Sequence, residues 1–242
     1  MKTFSALSYR FKLRAVVVSF AAAALAASAV PAAATELSST PLQGSSAAQV
    51  KPNIMLLMDA SRSMGWGHMP DEVESITGSG SVGYKNAQCN VLYYNPNQAY
   101  VLPNTADGTP FTAPNFNAAP YTGFGFFAVP QDLSTVDLRS AFRAYDSNTL
   151  YQTFNVDTPQ QAYYYTYAGS GTLKYDSAPC TDADTGATRT ATDGGTWTRH
   201  LVDSTSGPGA SDERQNFAIW YSFYRTRMNL AKSAASLAFT PL

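Results

Sequence analysis

Beyond residue 34, sustained hydrophobic patterning appears at only two places in this chain. Asn53-Ile54-Met55-Leu56-Leu57-Met58 is a short, nearly continuous apolar run. Such a run predicts a strand buried on both faces of a parallel sheet. The second pattern starts at Ser211, where Phe217, Trp220, Tyr221, Tyr224 and Met228, followed by Ala231, Ala235 and Ala238, recur at helical spacing. Arg225, Asn229, Lys232 and Ser236 fall on the opposite side. The spacing predicts one long helix over about 211–239 with a core-facing aromatic stripe. Ser211 is its N-cap, and Asp212 and Glu213 sit in a first turn that favours anions. Pro241 ends it.

Between these two, residues 64 to about 210 are dense in Tyr, Asn, Pro, Gly and Thr, the composition of loops and short strands. Asn95-Pro96 and Asp107-Gly108 are turn dipeptides. Thr188 to Val202 alternates around Asp193-Gly194-Gly195 and predicts a hairpin. Tyr163-Tyr164-Tyr165 with Tyr167 predicts a half-buried strand, and Val136 to Tyr145 a short helix. A sheet domain cannot close on one buried strand and one long helix. Either the domain is unusual or the chain is the N-terminal piece of a longer protein.

The N-terminus changes the compartment. Lys2, Arg10, Lys12 and Arg14 precede an Ala-rich apolar stretch from Ala15 to Val30, with small residues at Ala32-Ala33-Ala34. This is the pattern of a secretory signal peptide over residues 1–34, followed by a Ser/Ala/Thr-rich linker over 35–52. No second apolar stretch of membrane-spanning length follows. Removing four basic and no acidic residues takes the net charge from −1 to −5. A mildly acidic exported chain is a poor match for nucleic acid. In an oxidising compartment Cys89 and Cys180 are expected to pair. Without CxxC spacing or nearby histidines they do not suggest zinc.

Candidate chemistry is sparse. Asp59-Ala60-Ser61-Arg62-Ser63 follows the first apolar run and places a carboxylate and two hydroxyls at alternate positions. Ligands of open α/β sheets sit beyond the carboxyl ends of strands. An all-oxygen set suits Mg²⁺, Mn²⁺ or Ca²⁺. The D-x-S-x-S pattern resembles the metal-ion-dependent adhesion site of von Willebrand factor A domains. With Asp59, Ser61 and Ser63 as its only protein ligands, the site is incomplete, and the chain alone is expected to bind a divalent cation weakly or not at all. Asp182-Ala183-Asp184-Thr185-Gly186 reads as a solvated turn rather than a calcium loop, because Gly186 stands where an oxygen ligand is needed. His68 and His200 read as exposed loop histidines, and Asp71, Glu72 and Glu74 as solvated carboxylates. No catalytic triad context or phosphate loop is present, so no enzymatic activity is expected.

Two further segments carry a family resemblance. Cys89-Asn90-Val91-Leu92-Tyr93-Tyr94-Asn95-Pro96-Asn97-Gln98-Ala99-Tyr100 resembles a C/N-x-L-Y-Y-N-P-x-x-x-Y stretch of the PilY/PilC-like type IV pilus tip adhesin and biogenesis proteins. Asn216-Phe217-Ala218-Ile219-Trp220-Tyr221-Ser222-Phe223-Tyr224-Arg225-Thr226-Arg227-Met228 is similar to that family's N-F-A-x-W-Y-S-Y-Y-R-T-R-M helix. The resemblance covers about residues 50–242. It implies an α/β fold: a partial von Willebrand A (Rossmann-like) domain over 53–242, with an insertion at about 64–210 and the helix at about 211–239. It also implies a role in pilus assembly, surface attachment and twitching motility. The implied partners are pilus subunits or minor pilins and a host or abiotic surface, at the periplasm, outer-membrane surface or pilus tip. The alternative is a secreted carbohydrate-binding or hydrolase-associated protein that uses the aromatic-rich insertion.

Overall fold

The aromatic residues that pattern the sequence organise the fold. A computed structural model of the chain describes residues 55–77, 80–125, 135–145 and 157–239. The expected signal peptide, the expected linker and the first two residues of the predicted strand lie outside them.

The described residues form five strands: β1 (Ala119–Pro120), β2 (Thr135–Val136), β3 (Tyr163–Ala168), β4 (Arg189–Thr190) and β5 (Thr196–Leu201). β1 and β2 form a small antiparallel pair, and the other three an antiparallel sheet in the order β3-β5-β4. The tyrosine run forms the predicted strand, with Tyr163 opposite Leu201 and Tyr167 opposite Trp197. The predicted hairpin forms as well. Gly194 sits at φ 87°, a left-handed conformation that glycine adopts without steric cost. The Ala191 amide closes the turn onto the Gly195 carbonyl at 2.8 Å.

Cys89 and Cys180 are bonded, with Cα atoms 6.0 Å apart across 91 positions. The crosslink ties the Tyr-Asn-Pro segment to the sheet side of the molecule, and both cysteines are fully buried. In the chain-entropy picture, closing a loop of that length is worth about 4–5 kcal/mol.

The long helix is interrupted. It is α1 (Arg214–Phe223) and α2 (Arg227–Phe239), and α1 begins three residues after the predicted cap. Every residue from Phe217 to Phe223 is buried, so α1 has no solvent face at its centre. Two residues predicted to lie opposite the stripe, Arg225 and Asn229, turn inward at the break together with Ser233. Asn229 and Ser233 of α2 are buried and donate from Nδ2 and Oγ to the Ser222 and Phe223 carbonyls, at 3.2 and 2.7 Å. They satisfy carbonyls that a continuous helix would have bonded internally. Arg225 lies between the Tyr121 and Tyr221 rings, its guanidinium carbon 4.0 and 4.3 Å from their centroids. Of the predicted stripe, Phe217, Trp220, Tyr221 and Tyr224 are buried and Met228 half-buried.

Three other expectations are corrected. Met55–Met58 forms no strand, and Met55 and Leu57 are 86% and 89% exposed. A doubly buried strand needs paired neighbours, and among the described residues none pairs with it. Thr135–Val136 is a strand, followed by a single turn in which the Ala141 amide donates to the Asp137 carbonyl, in place of the short helix. The Asp182–Gly186 segment is not a solvated turn. Asp182 accepts from Trp197 Nε1 at 3.1 Å, and Asp184 accepts from Tyr165 at 2.6 Å and pairs with the buried Lys85 at 3.2 Å. Both carboxylates are inward anchors, because phenol, indole and ammonium donors converge on them from the sheet and from the segment preceding Cys89.

Candidate functional site

Asp59, Ser61 and Ser63 lie within hydrogen-bond reach of one another. The Ser61 amide donates to Asp59 Oδ1 at 2.8 Å and the Ser61 hydroxyl to Oδ2 at 2.7 Å. The Ser61 and Ser63 hydroxyl oxygens are 3.0 Å apart. A 3₁₀ turn, Arg62–Gly65, follows at once and fixes the alternation, with the Met64 amide on the Ser61 carbonyl. The Ser61 hydrogen bonds hold the Asp59 carboxyl below its ordinary range. The carboxylate is exposed and ionised at neutral pH, and the cluster offers a hard, all-oxygen donor set.

Chemically the fit to Mg²⁺, Mn²⁺ or Ca²⁺ is right in donor type and short in donor number. Such ions take about six or more oxygens, several of them carboxylate. Among the described residues there is no cluster of three or more His, Cys, Asp or Glu that could hold a metal.

The loop is anchored by residues to which the sequence reading gave no anchoring role, several of them read as exposed or solvated. His68 is 2% exposed, not a surface histidine. Its ring stacks on Trp66 with centroids 5.1 Å apart, and the Arg227 guanidinium lies over the same indole, also at 5.1 Å. Arg227 Nε donates to the His68 carbonyl at 2.8 Å, and the Arg227 amide donates to the Trp66 carbonyl at 3.1 Å. The Arg227 guanidinium also pairs with Asp71. Glu74 accepts from the Tyr145 hydroxyl at 2.7 Å and stands 3.8 Å from His68 Nε2. The first turn of α2 therefore fixes the loop that carries the candidate ligands. His200 is half-buried, stacked on Tyr164 and bonded to Thr166 at 2.8 Å.

The two motif segments grip each other. Trp220 Nε1 donates to the Leu92 carbonyl at 3.0 Å. Asn216 accepts from the Tyr100 amide at 2.8 Å and donates to the Tyr94 hydroxyl at 3.0 Å. Tyr94 packs against Phe217 with centroids 4.7 Å apart. Over 236 residues the chain is 31% identical to the type IV pilus biogenesis factor PilY1 of Pseudomonas aeruginosa strain PAO1, covering 90% of this chain and 17% of that protein. The PilY1 of strain UCBPP-PA14 is 30% identical over 201 residues, covering 80% of this chain and 15% of its own length. The PilY1 of strain PAK is 29% identical over 232 residues, with 90% and 17% covered.

The chain belongs to a PilY1-like family. It spans about a sixth of the length of the curated PilY1 relatives it matches. No family model and no solved structure matches it. In this PilY1-like chain the residues that carry the resemblance are structural: they join α1 to the Tyr-Asn-Pro segment, and α2 to the 59–68 loop. The sequence held the motifs but not their mutual contact, since residues 128 positions apart leave no local signal.

Burial holds the His68 imidazole below its ordinary pKa, with Glu74 opposing the shift and Arg227 adding to it. Burial moves His200 the same way. For a depressed histidine the unfolded state binds more protons at mildly acid pH. Stability is then complete above the unfolded pKa of about 6.5 and falls as pH drops below it. Urea unfolding at pH 7.5 and pH 5.5 is expected to show lower stability at the acid pH. His68→Phe, which keeps a ring on Trp66, is expected to lose less between the two. An equal acid loss in the variant removes His68 as the source.

Proposed function

We propose that this chain is exported and acts in type IV pilus assembly, surface attachment and twitching motility as a binding protein rather than an enzyme. Its partners in this reading are pilus subunits or minor pilins and a host or abiotic surface, at the periplasm, outer-membrane surface or pilus tip. The observation that carries the proposal is the 31% identity to a PilY1 over nearly the whole chain. The contact between the two motif segments supports it, because it gives those residues a common structural purpose. A von Willebrand A-like beginning at the 59–63 loop belongs to the same reading. There Asp59, Ser61 and Ser63 would hold a divalent cation, which would supply a positive centre for an acidic group on a partner.

Deleting the gene and scoring piliation, twitching and attachment tests the role. Loss restored by the wild-type gene is expected, and unchanged pili, motility and attachment would sink the proposal. Metal binding is tested separately by calorimetry of the 242-residue chain with Mg²⁺, Mn²⁺ and Ca²⁺. One carboxylate and two hydroxyls are expected to give no binding or a Kd of about 1 mM or weaker, by comparison with fuller oxygen sites. Any heat observed should vanish in Asp59→Ala. Micromolar binding, or binding that survives Asp59→Ala, would overturn this assignment of ligands.

A further inference from the structure

A second candidate binding surface lies away from the 59–63 loop. A cleft of about 320 Å³ opens where the Asn86–Gln88 turn, the Tyr94–Asn97 turn and the outer half of β3 meet. It is at the small end of the range for ligand sites, roughly 300–1,000 Å³. No Asp, Glu, Lys or Arg lines it. Its walls are carboxamides, hydroxyls and tyrosines, with Gln88 and Asn97 exposed and Tyr167 half-buried.

The absence of charge at the walls disfavours phosphates, carboxylates and cations, which need a compensating partner when desolvated. Carboxamides offer both donors and acceptors, and so does each hydroxyl of a sugar. The Tyr167 side chain is held in a fixed position at the wall. It packs on Trp197 with centroids 4.9 Å apart, and its hydroxyl is held by Asp193.

A peptide is the other neutral ligand such a wall could take. Its usual route onto a sheet is to add a strand to an open edge. β3 is an edge strand of its sheet. Its Tyr163 and Tyr165 carbonyls, however, already accept from Tyr93 Oη at 3.0 Å and Asn86 Nδ2 at 2.8 Å. Strand addition there would have to break both bonds.

The cleft is also preformed. Asn86 Oδ1 accepts from the Gln88 and Cys89 amides at 2.9 and 3.2 Å, and Asn95 Oδ1 from the Asn97 amide at 3.0 Å. Two asparagines thus spend their side chains on shaping the turns that carry Gln88 and Asn97. The adjoining Cys89–Cys180 bond holds the first turn against the sheet side. Preformed walls lower the ordering cost that a weak, hydroxyl-rich ligand would otherwise have to offset.

We propose that this cleft binds a neutral hexose or N-acetylhexosamine unit of a polysaccharide, with Gln88 and Asn97 reading hydroxyls and Tyr167 contacting the ring face. This rests on neither the cation loop nor the pilus assignment. The test is saturation-transfer NMR of the full chain with the methyl glycosides of glucose, galactose, mannose, N-acetylglucosamine and N-acetylgalactosamine. A neutral Ala/Asn hexapeptide serves as competitor. The expected result is saturable binding of at least one glycoside, unaffected by the peptide. It should weaken at least tenfold in Gln88→Ala/Asn97→Ala while the unfolding midpoint stays within error of wild type. Both substituted side chains are exposed, so the variant should fold. No saturable binding by any glycoside, binding equal in the variant, or displacement by the hexapeptide would each overturn the proposal.

Discussion

Replacing Cys89 and Cys180 together with alanine is expected to lower the unfolding free energy by about 4–5 kcal/mol, the chain-entropy value for a closed loop of this length. The bond spans 91 positions, and the loop it closes contains β1, β2 and β3 and the Tyr-Asn-Pro segment. Without it the unfolded chain regains that freedom. The buried Cys89 and Cys180 sites also lose the covalent contact that fills them. Urea unfolding of the double variant beside wild type, with and without reductant, measures the effect. Reductant should bring wild type down to the variant and leave the variant unchanged. A loss below about 1 kcal/mol would mean that the unfolded chain is already compact across this loop.

Trp220→Ala is expected to cost about 3–5 kcal/mol, the usual range for deleting a large buried aromatic. Trp220 is 3% exposed and packs against Phe217, Tyr93 and Tyr94, with the Phe217 and Tyr93 centroids at 4.9 and 5.3 Å. Its indole nitrogen also provides the bond to the Leu92 carbonyl. Trp220→Phe keeps most of the apolar volume and loses that bond. It should cost less, about 1–3 kcal/mol for a buried acceptor left without its donor. The difference between the two variants separates packing from hydrogen bonding. If both cost the same, the hydrogen bond and not the ring volume holds α1 to the Tyr-Asn-Pro segment.

Local patterns in the sequence were legible where local physics decides. The tyrosine run forms β3 because aromatic side chains suit a pleated, half-buried surface. The Asp-Gly-Gly turn forms because Gly194 accepts a left-handed backbone. The oxygens of Asp59, Ser61 and Ser63 lie together because the Ser61 amide and hydroxyl both donate to the Asp59 carboxylate and the Ser63 hydroxyl lies beside that of Ser61. The expectation that Cys89 and Cys180 pair came from the signal-peptide pattern, and the structure has the bond.

What stayed hidden is tertiary. Helical spacing alone cannot show that Asn229 and Ser233 turn inward to serve the carbonyls of the preceding helix. Nor does a polar residue type reveal that Asp184 faces Lys85 and two tyrosines, or that His68 lies under Trp66. The apolar run at Met55–Met58 has the composition of a buried strand, yet burial depends on neighbours that the run does not itself specify.

The Cys89–Cys180 crosslink also has a mechanical consequence. A pull applied to the chain on either side of it passes through the sulfur bridge and bypasses the 91-position segment between. At about 3.3–3.6 Å per extended residue, that segment represents roughly 300 Å of contour length. The oxidised molecule withholds this length under tension, even after the rest of the fold has been drawn out. Reduction makes it available, so the same sequence has two maximal extensions, selected by the redox state of one bond.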